Sequence, residues 1–134
     1  MYFIDSPTRE IVAFDYCPET GSLKNKRRVV KFPEGVGWPA GMTVDEEGKL
    51  WVAHWGGARI SRWDPTTGRL LVTVNLPVAQ VSACCFGGSQ LDELYITTGH
   101  YQLKDKELTR QPQAGGVFMF KPGIKGLPAH KFAG

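Results

Sequence analysis

Chemistry in this chain would have to come from a small set of side chains, and few of them stand close together. Three carboxylates run together in "MTVDEEGKL", as Asp45, Glu46 and Glu47; the histidines are His54, His100 and His130, and the thiols Cys17, Cys84 and Cys85. Metal-assisted hydrolysis needs several oxygen or nitrogen donors around one cation, and a metal or carboxylate that lowers the pKa of the attacking water. The histidines show no HxH or HExxH spacing, so they do not announce a zinc site. His54, between Ala53 and Trp55, reads as a hydrogen-bonded packing residue. No GxSxG elbow and no GxxxxGK[ST] loop occurs, which removes the signatures of a serine hydrolase and of a phosphate cradle. The thiols are odd in number and form no CxxC; that pattern fits reduced cysteines and a cytoplasmic setting, neither a disulfide framework nor a zinc ribbon. Cys84 and Cys85 lie in the apolar run "VSACCFGG", where at least one reads as a small core residue.

The carboxylates themselves read as turn formers. Asp45 begins the turn in "DEEGK" with Glu46 and Glu47 at its tip in water, and Asp5, Asp15, Asp64 and Asp92 stand at strand ends or turns. The basic run "LKNKRRVVK" follows a turn signal and carries Lys24, Lys26, Arg27, Arg28 and Lys31. No aromatic residue interleaves it, as a base-stacking surface would require, so it reads as basic residues beside a hairpin that face water, and no nucleic-acid partner is expected.

The elements that must position these residues are short strands. Ten runs rich in Val, Ile, Tyr, Trp, Phe and Thr are separated by Gly, Pro, Asp and Asn: 1–5, 11–16, 27–32, 41–45, 50–55, 59–64, 70–76, 82–86, 94–99 and 116–121. In "LWVAHW", Leu50, Val52 and His54 face one way and Trp51, Ala53 and Trp55 the other. A strand apolar on both faces belongs to a sheet covered on both sides. Helix periodicity is weak throughout. No run approaches the ~18 apolar residues of a membrane span, and the N-terminus lacks the basic and apolar regions of a secretory leader, so no membrane partner is expected.

The runs repeat. "YFIDSPTREIVAFDY…VVKFP" overlays "WVAHWGGARISRWD…VTVNLP", each closing an Asp-led turn ("DYCPETG", "DPTTG") and ending in Pro. A third copy starts at "LYITTGH", is interrupted by "YQLKDKELTRQPQA" and resumes at "GGVFMFK". Tyr2, Trp51 and Tyr95 occupy matching places in the three copies. A strand-built repeat of about 40–50 residues reads as propeller blades of about four strands. In that fold Trp38, Trp51, Trp55 and Trp63 would fill the wedges between blades, and His100 would be a candidate for a channel mouth. The first unit lacks the innermost strand that "GMTVD" and "SACCF" supply to the others.

In order and spacing, "YFIDSPTREIVAFDY", "TGSLKNKRRVVKFPEG", "PAGMTVDEEGKLWVAHWGGARISRWDPTTGR", "LPVAQVSACCFGGSQLDELYITTG" and "RQPQAGGVFMF" closely resemble the C-terminal half of the regucalcin (senescence marker protein)/gluconolactonase/luciferin-regenerating-enzyme family. The resemblance covers nearly the whole chain. It implies an all-β, six-bladed propeller present here as about three blades, with residues 1–134 forming a single partial propeller domain. It also implies one divalent cation, Ca²⁺ or Zn²⁺, in the central channel, polarising a sugar-lactone carbonyl and activating water. The family ligands it implies are a glutamate and an asparagine, both preceding Met1 in family order, and an aspartate in the pattern P-D-G-M. Here that pattern reads Pro39-Ala40-Gly41-Met42, with alanine at the aspartate's place. The expectation is therefore a chain with no catalytic, cofactor-binding or metal residues of its own, inactive alone as a lactonase. Two other readings stay open: a non-catalytic binding or calcium-handling propeller derivative, and a truncated gene product. Uncovered blade faces at the two ends predict self-association, either pairing with a second copy or aggregation.

Overall fold

The computed structural model describes residues 1–130, and they form three antiparallel sheets set side by side as blades. Blade 1 is β1 (Tyr2–Asp5), β2 (Glu10–Tyr16) and β3 (Leu23–Lys31). Blade 2 is β4 (Trp38–Val44), β5 (Leu50–Trp55), β6 (Arg59–Asp64) and β7 (Arg69–Asn75). Blade 3 is β8 (Val81–Gly87), β9 (Glu93–Thr98) and β10 (Val117–Phe120). Each of the ten expected runs meets a strand, but β3 begins at Leu23, ahead of the expected Arg27, and β4 at Trp38, ahead of the expected Gly41. The other departures are in strand count and in the insertion. Only blade 2 shows four strands; blade 1 lacks an inner strand, as its abrupt start implies, and blade 3 lacks an outer one among the described residues. The polar insertion forms α1 (Asp105–Arg110), one short helix whose exposed face gives no apolar period to detect. No helix of the described residues is long and apolar enough to cross a membrane.

The two-faced strand β5 explains how the blades hold together. Leu50 and Val52 bury themselves against blade 1 with Ile11, Val30, Phe32 and Trp63. Trp51 and Ala53 bury themselves against blade 3 with Ile60, Cys84, Leu94 and Ile96. Every residue from Leu50 to His54 is buried, so this strand is the centre of the core. Fully burying one such aliphatic side chain contributes about 1.5–3 kcal/mol. Trp51 and Trp63 fill the wedges as expected, but Trp38 does not. It is 46% exposed, because β4 begins at the end of the sheet, where the Arg9 guanidinium stacks 3.9 Å from its ring.

Three polar side chains sit inside this apolar frame, Asp45, His54 and Ser61, and all are hydrogen-bonded. Asp45 is completely buried at the β4–β5 turn. Its Oδ1 accepts from the backbone N–H of Glu47 (3.0 Å) and Lys49 (2.9 Å), and its Oδ2 from Trp51 Nε1 (2.9 Å) and Arg62 Nε (2.7 Å). Arg62 also donates to Glu47 at 2.7 Å, so the turn is locked to β6 by one guanidinium. A buried carboxylate is tolerated only when paired and hydrogen-bonded. The turn reading of Asp45 is right but incomplete, since the same side chain also clamps two strands.

His54 occupies the other face of β5. Trp63 Nε1 donates to Ser61 Oγ (2.6 Å), Ser61 stands 2.5 Å from His54 Nε2, and His54 Nδ1 stands 2.9 Å from the Val36 carbonyl. The Val36 carbonyl can only accept, so Nδ1 carries the proton and donates to it, and the Ser61 hydroxyl donates to the bare Nε2. That chain assigns the neutral Nδ1–H tautomer. Phe32 packs edge-on against the imidazole at 5.4 Å. Burial lowers the His54 pKa from its ordinary 6.5 to about 4.

Two predictions follow from these groups. Asp45→Ala strands a half-buried guanidinium and two turn amides, and should cost about 3–5 kcal/mol of unfolding free energy in a denaturant titration. Asp45→Asn, which keeps an acceptor for the turn amides, should cost less than Asp45→Ala; an Ala variant within about 1 kcal/mol of the parent contradicts the clamp. For His54, the unfolded imidazole takes a proton near 6.5 and the folded one only near 4. Its contribution is thus complete above pH 6.5 and is lost as pH falls towards 4, about 3 kcal/mol in all. Stability measured from pH 7 to 4.5 should fall more steeply for the parent than for His54→Gln, and equal slopes refute the assignment.

Candidate functional site

Position 40 lies in an irregular stretch of the β4–β5 ladder. In the β4–β5 ladder Pro39 pairs with His54 and Met42 with Val52, so Ala40 and Gly41 together oppose Ala53 in a bulge. Bulges re-aim side chains and concentrate next to active sites. The inner strand of blade 3 is irregular at the matching place, with Val81 opposite Thr98 and Ala83 opposite Thr97, leaving Ser82 out of register. The two irregular strands touch there. A Cβ on Gly41 would come within 2.6 Å of Ala83 Cβ and 3.0 Å of the Ser82 carbonyl, so only glycine fits. Gly41 is therefore a packing requirement of adjoining inner strands, whatever stands at 40.

The turn between β1 and β2 supports this segment from blade 1. Ser6 Oγ donates to the Pro39 carbonyl at 2.6 Å, and Arg9 Nη1 donates to the Gly37 carbonyl at 2.7 Å. Arg9 holds a left-handed backbone (φ 54°), which closes the turn and turns its guanidinium over Trp38. Beyond it, the connection from β9 to β10 is tied to the same end of the blades. Gly99 N–H donates to the Gln80 carbonyl (2.7 Å), Gln80 Nε2 to the Tyr101 carbonyl (2.7 Å), and Ala79 N–H to Gln111 Oε1 (2.6 Å). His100 is in this connection, exposed, at the end of the blades where Trp38 and Trp55 also lie.

The donors offered to a cation are poor. Ala40 contributes a methyl group. The supporting side chains are the Ser6 hydroxyl and the Arg9 guanidinium, and the latter repels cations. Asp45 and the Glu46–Glu47 tip lie at the opposite end of β4, with Asp45's four donors already in place and Glu47 paired to Arg62. Among the described residues, no group of three or more His, Cys, Asp or Glu could hold a metal ion. A Ca²⁺ or Zn²⁺ centre therefore does not fit this donor set.

The remaining candidates are structural. Asp64 caps its own turn through Thr66 N–H (2.9 Å) and pairs with Lys49 (3.1 Å); these hydrogen bonds lower its pKa to about 2. Asp15 accepts from Asn25 and Arg27, and Asp92 pairs with Lys121. In the basic strand, Arg28 and Lys31 share Glu10. Cys84 is buried and its thiol is pushed up to about 12, an inert core residue; Cys85, its neighbour, points out of blade 3 and is exposed. His130 is exposed and remote from the other histidines in sequence.

Known proteins resemble the chain over almost its whole length. The family model for the SMP-30/Gluconolactonase/LRE-like region matches residues 1–100. Regucalcin of Gallus gallus is 46% identical over 134 residues, 99% of this chain and 45% of that protein. A luciferin-regenerating enzyme structure superposes with a TM-score of 0.83 at 40% identity, covering 95% of this chain and 43% of that one. A calcium-binding protein, regucalcin, from Agrobacterium tumefaciens superposes with a TM-score of 0.85 at 26% identity, covering 94% and 43%. The chain thus spans less than half the length of the relatives it matches. With three blades of that propeller and the Pro-Ala-Gly-Met segment bulged at its inner strand, the chain belongs to the SMP-30/Gluconolactonase/LRE-like family.

Proposed function

We propose that residues 1–134 act as one partial domain, half of a lactone-hydrolysing type of propeller, and that the chain by itself does not turn over lactones. The observation that carries this is Ala40: the bulge that would aim an acidic side chain is present, and the acid is not. Without a carboxylate there, and with Asp45 engaged at the other end of the strand, nothing lowers the pKa of an attacking water. What these residues retain at one end of the blades is the Arg9 guanidinium over the Trp38 ring, a cationic and aromatic pair suited to a neutral polyhydroxy ligand such as a sugar lactone. A non-catalytic binding role, calcium handling included, is the second reading; the calcium-binding relative with the same fold favours it. The same reading has the chain associate with itself through its uncovered blade faces.

Hydrolysis of glucono-lactone, followed with Ca²⁺, Zn²⁺ or Mn²⁺ for the chain and for Ala40→Asp, should not exceed the buffer rate in either case. One restored carboxylate is too few ligands for a hard cation. Saturable turnover by the unaltered chain contradicts the proposal. The binding reading predicts a rise in melting temperature with a lactone or with Ca²⁺, and a flat screen removes it.

A further inference from the structure

We propose that the outer strand of blade 2, β7, takes an extended, acidic segment of a partner protein as an added strand, with the basic outer strand of blade 1 beside it. The edge is free in the sheet order: β7 closes the sheet β4-β5-β6-β7 and bonds to β6 alone. Blade 2 is packed on one side by blade 1 and on the other by blade 3, so this edge is the rim of an enclosed blade and not an end face of the chain. A free edge offers a row of backbone N–H and C=O groups, which proteins ordinarily guard with lysine or proline. Between Arg69 and Asn75, β7 carries neither. It reads Leu70-Leu71-Val72-Thr73-Val74, and Leu70, Leu71 and Val72 are 50%, 42% and 40% exposed. A bulge leaves Leu71 out of the β6 register. The outer strand of blade 1 is the opposite case, since β3 sets Lys24, Lys26, Arg27, Arg28 and Lys31 along its length.

Charge chooses the occupant. Leu70 and Thr73 pair with Trp63 and Ser61, on the face of blade 2 that meets blade 1. Across that junction Arg27 pairs with Ala13, which pairs with Tyr2, so it stands on the face of blade 1 that meets blade 2. A crevice of about 370 Å³ lies between the blades there, with Tyr2, Arg27, Arg28, Pro65 and Thr66 in its wall. Further along, Arg59 joins Pro33, Leu70 and Thr73 around a smaller one. The five cations of β3 share two carboxylates, Glu10 and Asp15, and Lys24 and Lys26 enter no ion pair among the described residues. A strand added to β7 alternates its side chains, so every second one leans towards this basic junction. The segment that fits is acidic on that face and β-branched on the other, the main chain supplying affinity and the charges register. A second copy fits poorly. Two β7 strands paired antiparallel about a dyad normal to the sheet would hold both copies of blade 1 on one side of the joined sheet, basic strand towards basic strand.

The probe is a fluorescein-labelled peptide, Glu-Val-Glu-Val-Glu-Val-Glu, titrated with the full chain and followed by anisotropy. It should bind saturably and about tenfold tighter than Glu-Val-Glu-Pro-Glu-Val-Glu, which has the same charge but cannot complete the added strand. Leu71→Glu, and Lys24→Glu with Lys26→Glu, alter exposed positions. Each variant should keep the parent's circular dichroism and bind the first peptide several-fold more weakly. With that peptide bound, amide exchange should slow in β7 and stay unchanged in β3. Equal affinity for the two peptides, or an affinity indifferent to Leu71→Glu, overturns the docking strand. A parent that runs at twice 14.8 kDa, and at that single mass with Leu71→Glu, makes a second copy the occupant and overturns the acidic partner. None of these outcomes touches the lactonase reading, which stands or falls on turnover.

Discussion

The middle strand of blade 2 is buried on both faces, and much of the structure follows from the need to cover both sides of it. Blade 2 satisfies that need. Its β5 strand is buried from Leu50 to His54 because blade 1 takes one face and blade 3 the other. The polar groups that the arrangement traps, Asp45 and His54, survive only because each is surrounded by partners supplied by the same strands. Blades 1 and 3 each satisfy the need on one side, and their outward residues are the exposed aromatic and aliphatic side chains of the chain's two ends.

Covering also governs the centre. Inner strands of neighbouring blades approach so closely that Gly41 admits no side chain beside Ala83, and both strands bulge where they meet. A bulge there takes position 40 out of the regular ladder. Glycine and bulge are thus requirements of packing between the two inner strands, whatever residue stands at 40. The chain keeps a fully coordinated carboxylate at Asp45 for structure and presents only a methyl group at Ala40.

Much of this was legible in the residues. Alternation and turn punctuation located all ten strands, and the two-sided "LWVAHW" announced a strand sandwiched between sheets, because burial on each face writes its own parity into the sequence. The resemblance carried the family, and the Pro-Ala-Gly-Met segment carried position 40. Three features were not legible. Asp45 reads as a turn residue in any sequence; that Arg62 and Trp51 converge on it depends on a neighbouring strand's register. The exposure of Trp38 depends on where β4 begins, not on its type. The helix at Asp105–Arg110 buries no residue, so no apolar period marks it.

The covering of blade faces is tested most directly by hydrogen exchange at single-residue resolution. The account predicts that the amides of β5 and β6, enclosed on both sides, exchange only through global unfolding, while those bonded between β9 and β10 exchange through a smaller opening that deepens as protein concentration rises. Uniform protection across the three blades, indifferent to concentration, would contradict it.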